Sequence, residues 1–456
     1  MTLKLTSGAS MRTVSSLPIR VVIVTMDTHL ASSVERARKT LAKELPHLTL
    51  TLHAASEYAG NDALVARCKA DIAQADIVVA GMLFLEDHFL PILEDLRARR
   101  MQCDAMICIA SATEVTQLTR LGQFDMLKPA SGPMALLKKL RGSKEKAPTG
   151  GAAQMKMLRR LPQMLRFIPG TAQDVRAYFL AMQYWMSGSD DNVLNLVRHV
   201  VDRGADGARR SLRGSLKIDA PVHYPEVGVY HPRLAGRYAE EALALPLPAR
   251  GPVVGTVGLL LMRSYLLGGN AAHYDGVIAS LEARGLRVIP AFAAGLDSRP
   301  AIDAFFYQDG RVCVDAVVSL TGFSLVGGPA YNDAKGAEEV LSKLDVPYVA
   351  AHPVEFQTLD QWGGSDRGLL PVESTIMVAI PELDGSTGPM VFGGRPGAPG
   401  VTCTGCHHAC TFKAADTAQD MHSCPERATM LAARVAKLVA LKRSERQQRK
   451  VAIVLF

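Results

Sequence analysis

Four of the eight cysteines of this 456-residue chain lie in one short stretch, with the spacing Cys403-x2-Cys406-x3-Cys410-x13-Cys424. Three cysteines within eight residues, plus a fourth followed by proline, are typical of iron–sulfur ligand runs. Four thiolates also suit structural zinc, although zinc sites more often use two well-separated pairs. Haem attachment is a third interpretation, because residues 403–407 fit C-x-x-C-H. Free thiols are a fourth.

The compartment narrows these alternatives. The first 20 residues lack the continuous apolar core of a signal peptide, and no stretch approaches the ~20 apolar residues of a membrane span. We therefore predict a cytoplasmic protein, in which disulfides and haem attachment are disfavoured. The spacing leaves an iron–sulfur centre, zinc and free thiols open, and the family resemblance given below implies a [4Fe–4S] centre as the first choice and zinc as the second. The scattered Cys68, Cys103, Cys108 and Cys313 are predicted to be small buried hydrophobes.

Composition indicates a globular chain. Hydrophobic residues make up 48% and charged residues 21%, which excludes a disordered protein. The net charge of +7 is spread along the chain. Such a surplus favours anionic ligands such as carboxylates and does not by itself indicate nucleic acid.

The elements that must position these residues alternate between strands and helices. Apolar runs at 19–25, 48–54, 76–84 and 104–111 are separated by helical stretches, which predicts βαβ units and a parallel sheet. Residues 19–130 are thus expected to form a flavodoxin-like, doubly wound domain after a flexible 1–18. The strand-end loops carry Asp27 and His29, then Glu86, Asp87 and His88. Helix capping is the more frequent role of such residues.

The fold class is α/β and multi-domain. A Pro/Gly/Ser/Lys-rich linker at 131–155 leads to a helical region at 156–250 and a second α/β domain at 251–400. Its predicted strands are 252–262, 286–293, 314–323, 347–352 and 375–385. The Cys cluster takes 401–430, and 431–456 is a helix followed by a strand that would start a further, incomplete domain. Neither G-x-x-x-x-G-K-[ST] nor G-x-G-x-x-G occurs, so any ATP is expected to be hydrolysed by another chain.

Residues 353–392 contain the elements LPVES (370–374) and IPELDG (380–385). This segment resembles the large subunits of the ATP-dependent cobalt and magnesium chelatases. Residues 255–270 and 274–302 are similar to the same family, and residues 183–192 fit its Q-x-W-x-x-G-S-x-x-N helix pair. Residues 19–37 resemble the magnesium branch. Members of the family are far longer, so the sequence is interpreted as an N-terminal piece.

The resemblance implies a chain that binds protoporphyrin IX and receives Mg²⁺, while partner AAA+ motor subunits of the I and D types hydrolyse ATP. Insertion must remove two pyrrole protons, which requires a nearby base. The polar candidates in the segment that carries the resemblance are His352, Glu355, Asp360, Asp366, Arg367 and Glu373. Asp366 and Glu373 could instead satisfy turn or cap hydrogen bonds. The glycines at 268, 269, 363 and 364 are expected to allow turns or close backbone approach.

Two other functions stay open. A cobaltochelatase large subunit acting on a corrinoid precursor is the alternative enzyme, and a non-catalytic sensor of tetrapyrrole or oxygen is the alternative outside enzymes. Because metal insertion involves no redox step, the Cys cluster is expected to be regulatory or structural.

Overall fold

A computed structural model describes residues 17–26, 28–58, 61–128, 160–249, 251–328, 331–412 and 420–454. The chain forms two compact units, Met1–His223 and Tyr224–Phe456. The predicted linker at 131–155 lies outside the described residues, as does nearly all of the predicted flexible N-terminus.

The first unit is built on a six-stranded sheet with the order β2-β1-β3-β4-β5-β6. The strands are β1 Ile19–Thr25, β2 Leu48–Ala54, β3 Ile77–Gly81, β4 Ala105–Ile109, β5 Arg120–Leu121 and β6 Phe124–Asp125. The first four are parallel, and the two short edge strands are antiparallel. This confirms the doubly wound parallel sheet predicted from the alternating apolar runs.

Helices cover both faces of this sheet. They are α1 Ala31–Leu41, α2 Asp62–Gln74, α3 Glu86–Arg99, α4 Thr113–Thr116, α5 Thr171–Ser187 and α6 Asp190–Gly204, with 3₁₀ turns at Thr28–Leu30, Ala55–Glu57, Leu165–Phe167 and Gly207–Leu212. One core lies under α1, α5 and α6. The other lies under α2 and α3.

The helices α5 and α6, expected in a separate helical region, pack directly on this sheet. Trp185 of α5 lies against the backbone of Gly81, where a Cβ atom would come within 2.4 Å of the indole ring. Gly204 of α6 similarly approaches Ala105. Small residues at these two contacts let the helices approach closely enough to bury their apolar faces.

The second unit is built on an eight-stranded sheet with the order β18-β17-β16-β13-β9-β10-β7-β8. Its eight strands are β7 Val227–Tyr230, β8 Tyr238–Ala239, β9 Gly255–Met262, β10 Leu286–Ala293, β13 Ala316–Ser319, β16 Tyr348–Thr358, β17 Met390–Arg395 and β18 His422–Ser423. Two further pairs, β11 Tyr307–Gln308 with β12 Arg311–Val312 and β14 Gly327–Gly328 with β15 Tyr331–Asn332, form separate two-stranded sheets. The five central strands are parallel, and β7, β8 and β18 form antiparallel edges. The strands β7 and β8 lie in the stretch that was expected to be helical.

The helices of this unit are α7 Arg263–Leu267, α8 Ala272–Glu282, α9 Arg299–Phe305, α10 Ala334–Leu344, α11 Leu359–Gly363, α12 Pro371–Glu373, α13 Ile380–Leu383 and α14 Pro425–Arg443. A π-helical turn, Ser374–Ala379, joins α12 to α13. Short 3₁₀ turns lie at Ala242–Ala244 and Arg446–Gln448. One core lies under α8 and α14, and the other under α9 and α10.

One strand prediction is wrong. Residues 375–385 begin in helix, because Pro371 occupies the first turn and buried side chains recur every fourth residue at Glu373, Met377 and Pro381. Residues 451–454 are exposed and carry no regular secondary structure, and their role as the first strand of a further domain stays a prediction. Among the described helices, none combines the length and the apolar character that crossing a membrane requires.

Candidate functional site

The candidate site is the edge of the second sheet where the parallel strands end. Strand β10 lies beside β9 on one side and strand β13 lies beside it on the other. The direction in which successive strands are added to the sheet therefore reverses between β9 and β13. Ligands of doubly wound sheets bind outside the carboxyl ends of the strands at such a point. The polar residues singled out in the sequence lie on β16 itself or in the segment between β16 and β17, and the cysteine loop follows β17.

His352 lies on β16, not in a loop, because this strand continues to Thr358 through a shift of register after His352. The side chain is 1% exposed, and its surroundings include Gly322 and Met377. Neither ring nitrogen has a hydrogen-bond partner among the described residues. Burial lowers the pKa of His352 to about 4, so the imidazole is neutral at pH 7.

Glu373 is fully buried, and its carboxylate binds donors from the end of β16 and from the residue that precedes α12. Its carboxylate accepts hydrogen bonds from the backbone N–H of Phe356 (3.3 Å) and of Leu370 (3.0 Å). The side-chain amide of Gln357 donates a third bond. Glu373 therefore joins the end of β16 to the first turn of α12, which holds the intervening loop in place.

The other four polar candidates lie apart from this carboxylate. Glu355 is half-buried on β16. Asp360 accepts a hydrogen bond from Thr358, the residue that caps α11. Asp366 and Arg367 are exposed in the turn before α12. The structure thus places His352 and Glu355 on β16 and Glu373 in α12, without a contact that joins the three, and leaves Asp366 and Arg367 at the surface.

The cysteine loop, residues 401–412, folds back on itself beside this edge. The backbone N–H of Cys403 donates to the carbonyl of Cys410 (2.8 Å), and Thr402 pairs with Thr411 in a single β-bridge. Cys424 lies immediately before α14, and its sulfur is 3.6 Å from that of Cys406. Cys403 and Cys424 are buried, whereas Cys406 and Cys410 are half-buried.

The cysteine loop is packed against α11. A Cβ atom on Gly363 would lie 2.3 Å from the backbone nitrogen of Gly405, and one on Gly405 would lie 2.7 Å from the ring of Trp362. The guanidinium of Arg427 lies over the same ring, 4.8 Å from its centre, and donates to the carbonyl of Gly405 (3.2 Å). The thiol of Cys403 donates weakly to the carbonyl of Leu359 (3.5 Å). The loop therefore cannot shift without disturbing α11.

Metal ligation requires thiolates, and without a metal, burial favours the protonated form of three of these four thiols. Burial is the main cause that raises the pKa of Cys424, to about 12, and the pKa values of Cys403 and Cys410 are also raised. Neighbouring thiols add to each of these shifts. Within the described residues, no three His, Cys, Asp or Glu side chains are arranged to hold a metal ion. The four thiols supply the right ligand atoms for a metal centre, but their arrangement does not fit one.

Two residues that sequence reasoning missed fix loops by binding backbone groups. Asp384 accepts a hydrogen bond from the N–H of Leu325 (2.7 Å) in the loop after β13, and burial raises its pKa. Asn192 both donates to the carbonyl of Val222 (3.0 Å) and accepts from its N–H (2.9 Å). Asp384 lies within IPELDG and Asn192 within the motif of the helix pair. Their positions in these motifs are the only sequence feature that could have indicated a role for them.

In the first unit, Asp27 lies outside the described residues. His29 belongs to the 3₁₀ turn before α1. Glu86 and Asp87 lie in the first turn of α3, where acidic side chains interact favourably with the helix dipole. His88 is half-buried on the same helix, and burial lowers its pKa. The N-cap residues are Leu30 for α1 and Leu85 for α3, and neither makes a side-chain capping hydrogen bond, so the capping expected of these residues is not observed.

The second unit is a doubly wound α/β protein with buried polar anchors under the loops at its ligand-binding edge. Residues 182–456 match the family model CobN/Magnesium Chelatase, and residues 20–179 match a domain of unknown function (DUF3479). Because the first match takes in more than half of the sequence, the chain belongs to the CobN/magnesium chelatase family.

Relatives within the family are named for both metals. The magnesium-chelatase H subunit of Cereibacter sphaeroides is 49% identical over 438 residues, which is 96% of this chain and 36% of that protein. The chloroplastic magnesium-chelatase ChlH subunit of Oryza sativa subsp. indica is 32% identical, covering 96% of this chain and 31% of that protein. The aerobic cobaltochelatase CobN subunit of a Sinorhizobium species is 26% identical over 44% of this chain and 15% of that protein. The chain spans about a third of the length of the magnesium-chelatase relatives, and the predicted resemblance to the magnesium branch is confirmed.

Proposed function

We propose that this chain is part of the porphyrin-binding large subunit of a magnesium chelatase, which inserts Mg²⁺ into protoporphyrin IX on the route to chlorophyll or bacteriochlorophyll. The observation that carries the proposal is the 49% identity to the H subunit of a magnesium chelatase, sustained over 96% of the chain. The match to a cobaltochelatase subunit is weaker and covers less than half of the chain.

The reaction replaces two pyrrole protons by Mg²⁺, so both protons must be accepted as the ion binds. Mg²⁺ sheds its water reluctantly and prefers oxygen ligands. A carboxylate that shares the ion during transfer and a neutral base that takes a proton would both lower the barrier. In this segment we assign these roles to Glu355 and His352. Support comes from their places three residues apart on β16 and from the ring nitrogens of His352, neither of which has a partner among the described residues.

The remaining polar candidates are proposed to act around the ring. Arg367 is an exposed cation suited to a propionate, and Asp360 and Asp366 would contribute to the same rim. Glu373 is proposed as a positioning residue, because its carboxylate accepts three hydrogen bonds from the chain itself.

ATP hydrolysis is proposed to belong to partner AAA+ subunits of the I and D types. The sequence contains neither of the two common glycine-rich phosphate motifs, which supports a division of labour between chains. We also propose a cytoplasmic location, in keeping with the lack of a signal-peptide pattern in the first 20 residues.

A metal centre at Cys403, Cys406, Cys410 and Cys424, [4Fe–4S] or zinc, is proposed as an accessory site. Thiol number and spacing support it, and Arg427 supplies a neighbouring positive charge. The present arrangement of the sulfurs does not support it, so the loop would have to close around the metal. Anaerobic purification followed by metal analysis, ultraviolet–visible and EPR spectra, with and without Cys406→Ser, tests this site. A colourless, metal-free anaerobic sample would exclude it.

The function itself is tested by quenching of protoporphyrin fluorescence, followed by a magnesium insertion assay with the motor subunits. We expect His352→Gln and Glu355→Gln to lower insertion by at least tenfold in a chain long enough to be active. Glu338→Ala, at an exposed position on α10, should have a far smaller effect and serves as the control. Binding of a corrinoid precursor in preference to protoporphyrin would favour cobalt chelation, and porphyrin binding that never leads to insertion would favour a sensor.

A further inference from the structure

Three large apolar side chains are exposed near the carboxyl end of β16. They belong to Phe356, Leu370 and Val372, which are 39%, 38% and 42% exposed. Single exposed apolar residues are ordinary, whereas a group of them marks a binding surface. We propose that these three side chains, the apolar shelf, bind the face of the protoporphyrin macrocycle. This inference rests on the proposed function and adds the groups that contact the flat part of the substrate.

One buried carboxylate holds the apolar shelf together. Oε1 of Glu373 accepts a hydrogen bond from the N–H of Phe356 (3.3 Å), and Oε2 accepts one from the N–H of Leu370 (3.0 Å). The two backbones therefore meet at one carboxyl group, although α11 and a turn separate them in sequence. Val372 immediately precedes Glu373 in α12. Because Glu373 is fully buried and its three neighbours are exposed, the carboxylate lies on the inner side of the shelf.

The stability of the fold does not account for these apolar side chains. None of the three packs in a hydrophobic core of the described residues. Apolar surface left in water forgoes the stabilisation that burial would give. In LPVES, Pro371 lies in the first turn of α12 and Glu373 is the anchor, so Leu370 and Val372 are the members of the motif that stay free to meet a ligand.

A cation lies at the border of the apolar shelf. Gln357 follows Phe356, and its side-chain amide donates both to Glu373 and to the carbonyl of Gly368 (3.3 Å). Arg367, which is exposed, precedes Gly368. Protoporphyrin has the complementary distribution, because its ring is flat and apolar and its two propionates lie on one edge. Ligand sites of this kind combine an apolar lining with a few placed polar groups, and arginine pairs with carboxylates through two parallel hydrogen bonds.

The apolar shelf is continuous with the segments that surround the proposed base. Phe356 belongs to the strand that carries His352. Met377 lies four residues after Glu373 and flanks Gly322 together with His352. A Cβ atom on Gly322 would lie 3.7 Å from Cγ of Met377 and 3.8 Å from Cβ of His352. We therefore expect changes in the shelf to weaken substrate binding, whereas changes at the base slow the transfer of protons.

The experiment uses a chain long enough to insert Mg²⁺. Quenching of protoporphyrin fluorescence gives Kd, and initial insertion rates at varied porphyrin concentration give KM and kcat. We expect Phe356→Gln and Leu370→Gln each to raise Kd and KM roughly fivefold, because each loses an apolar contact, and to leave kcat within about twofold of the parent. Phe356→Leu and Leu370→Met should retain most of the affinity. Leu243→Gln, the same change at an 85% exposed leucine of the second unit, is the matched control.

The dimethyl ester of protoporphyrin, which lacks the two charges, tests the border of the shelf. Arg367→Gln should weaken binding of the free acid severalfold and leave binding of the ester nearly unchanged. The two glutamine variants of the shelf should weaken binding of both compounds alike. Asp366→Asn, beside Arg367, is the control and should not weaken binding of the free acid.

The outcomes separate the shelf from the proposed function. If the parent binds protoporphyrin and inserts Mg²⁺ while Phe356→Gln and Leu370→Gln keep its Kd and KM, the shelf is wrong and the proposed function stands. A fall in kcat with unchanged KM would also overturn the shelf. A parent that binds no protoporphyrin would contradict both. Urea unfolding checks that each variant is folded, and Val372→Thr, which keeps the shape of the side chain and should raise Kd about twofold, replaces a glutamine variant that fails to fold.

Discussion

Glu373→Gln separates a positioning role of this carboxylate from a role in binding substrate. The substitution keeps the size of the side chain and removes its charge. Because Glu373 is fully buried and accepts three hydrogen bonds, the structure predicts a loss of stability even in the absence of any ligand. If Glu373 instead bound substrate directly, the substitution would weaken substrate binding and leave the free energy of unfolding unchanged.

The magnitude follows from the three donors. Glutamine retains one acceptor oxygen, so it can keep the bonds from Leu370 and Gln357 and must turn its NH₂ group toward the N–H of Phe356. Losing one bond to a charged acceptor costs about 1.5–3 kcal/mol, and the remaining two become weaker, neutral bonds. Relief of the cost of burying a carboxylate offsets part of this. We expect a net loss of about 2 kcal/mol, and a larger loss for Glu373→Ala, which leaves all three donors unpaired.

Urea unfolding followed by Trp362 emission in a Trp185→Phe background measures this loss in the second unit alone. Asp366→Asn, which changes an exposed carboxylate in the same loop, should stay within about 0.5 kcal/mol of the parent. If Glu373→Gln proves as stable as the parent, or more stable, then the desolvation cost outweighs the three hydrogen bonds and the anchoring argument fails.

Three further predictions concern the first unit. Gly81→Ala should cost about 1–3 kcal/mol by forcing Trp185 out of its packing, measured by denaturant unfolding, and an unchanged midpoint would contradict the contact. Asn192→Ala should cost about 2 kcal/mol, because both hydrogen bonds to Val222 are lost, and equal protection of that segment in hydrogen exchange would argue against it. Burial lowers the pKa of His199 to about 4, below the ~6.5 of an unfolded chain, so its protonation favours unfolding as the pH falls from about 6.5 to about 4 and removes about 3 kcal/mol at most. His199→Gln should lose this part of the pH dependence, and an unchanged slope would show that other groups cause it.

The strands were predictable where local pattern and tertiary packing agree. The run at 19–25 is β-branched, buried and bounded by polar residues, and β1 has these bounds. Residues 375–385 have similar local preferences, yet a proline in the first turn and a buried face with a four-residue period make them helical. Strand β7 is short and contains Gly228, and it exists because β10 offers an open edge. No local pattern carries that information.

The sequence predicted the types and positions of the residues at the candidate site. It did not predict which of these residues contact one another. Spacing identified four cysteines as a group, but only the packing of α14 decides that Cys424 meets Cys406. Similarly, the sequence marks Glu373 as polar and central to a motif. Its partners come from the end of β16, whose extension to Thr358 no periodicity indicated.

Three residues in the motifs that identify the family have the same structural role, and under the proposed function this role limits which groups can contact the substrate. Asn192, Glu373 and Asp384 each lie in a motif, and each binds backbone groups of a loop or strand end. Burying a polar side chain costs free energy, whereas burying an apolar one does not. The main contribution of these three residues is therefore a fixed loop geometry, and added stability is secondary. A rigid macrocycle gains affinity from a rim that is already ordered. The motif side chains are therefore bound to the chain itself, and under the proposed function contact with the ring would fall to neighbouring groups such as His352, whose ring nitrogens have no partner among the described residues.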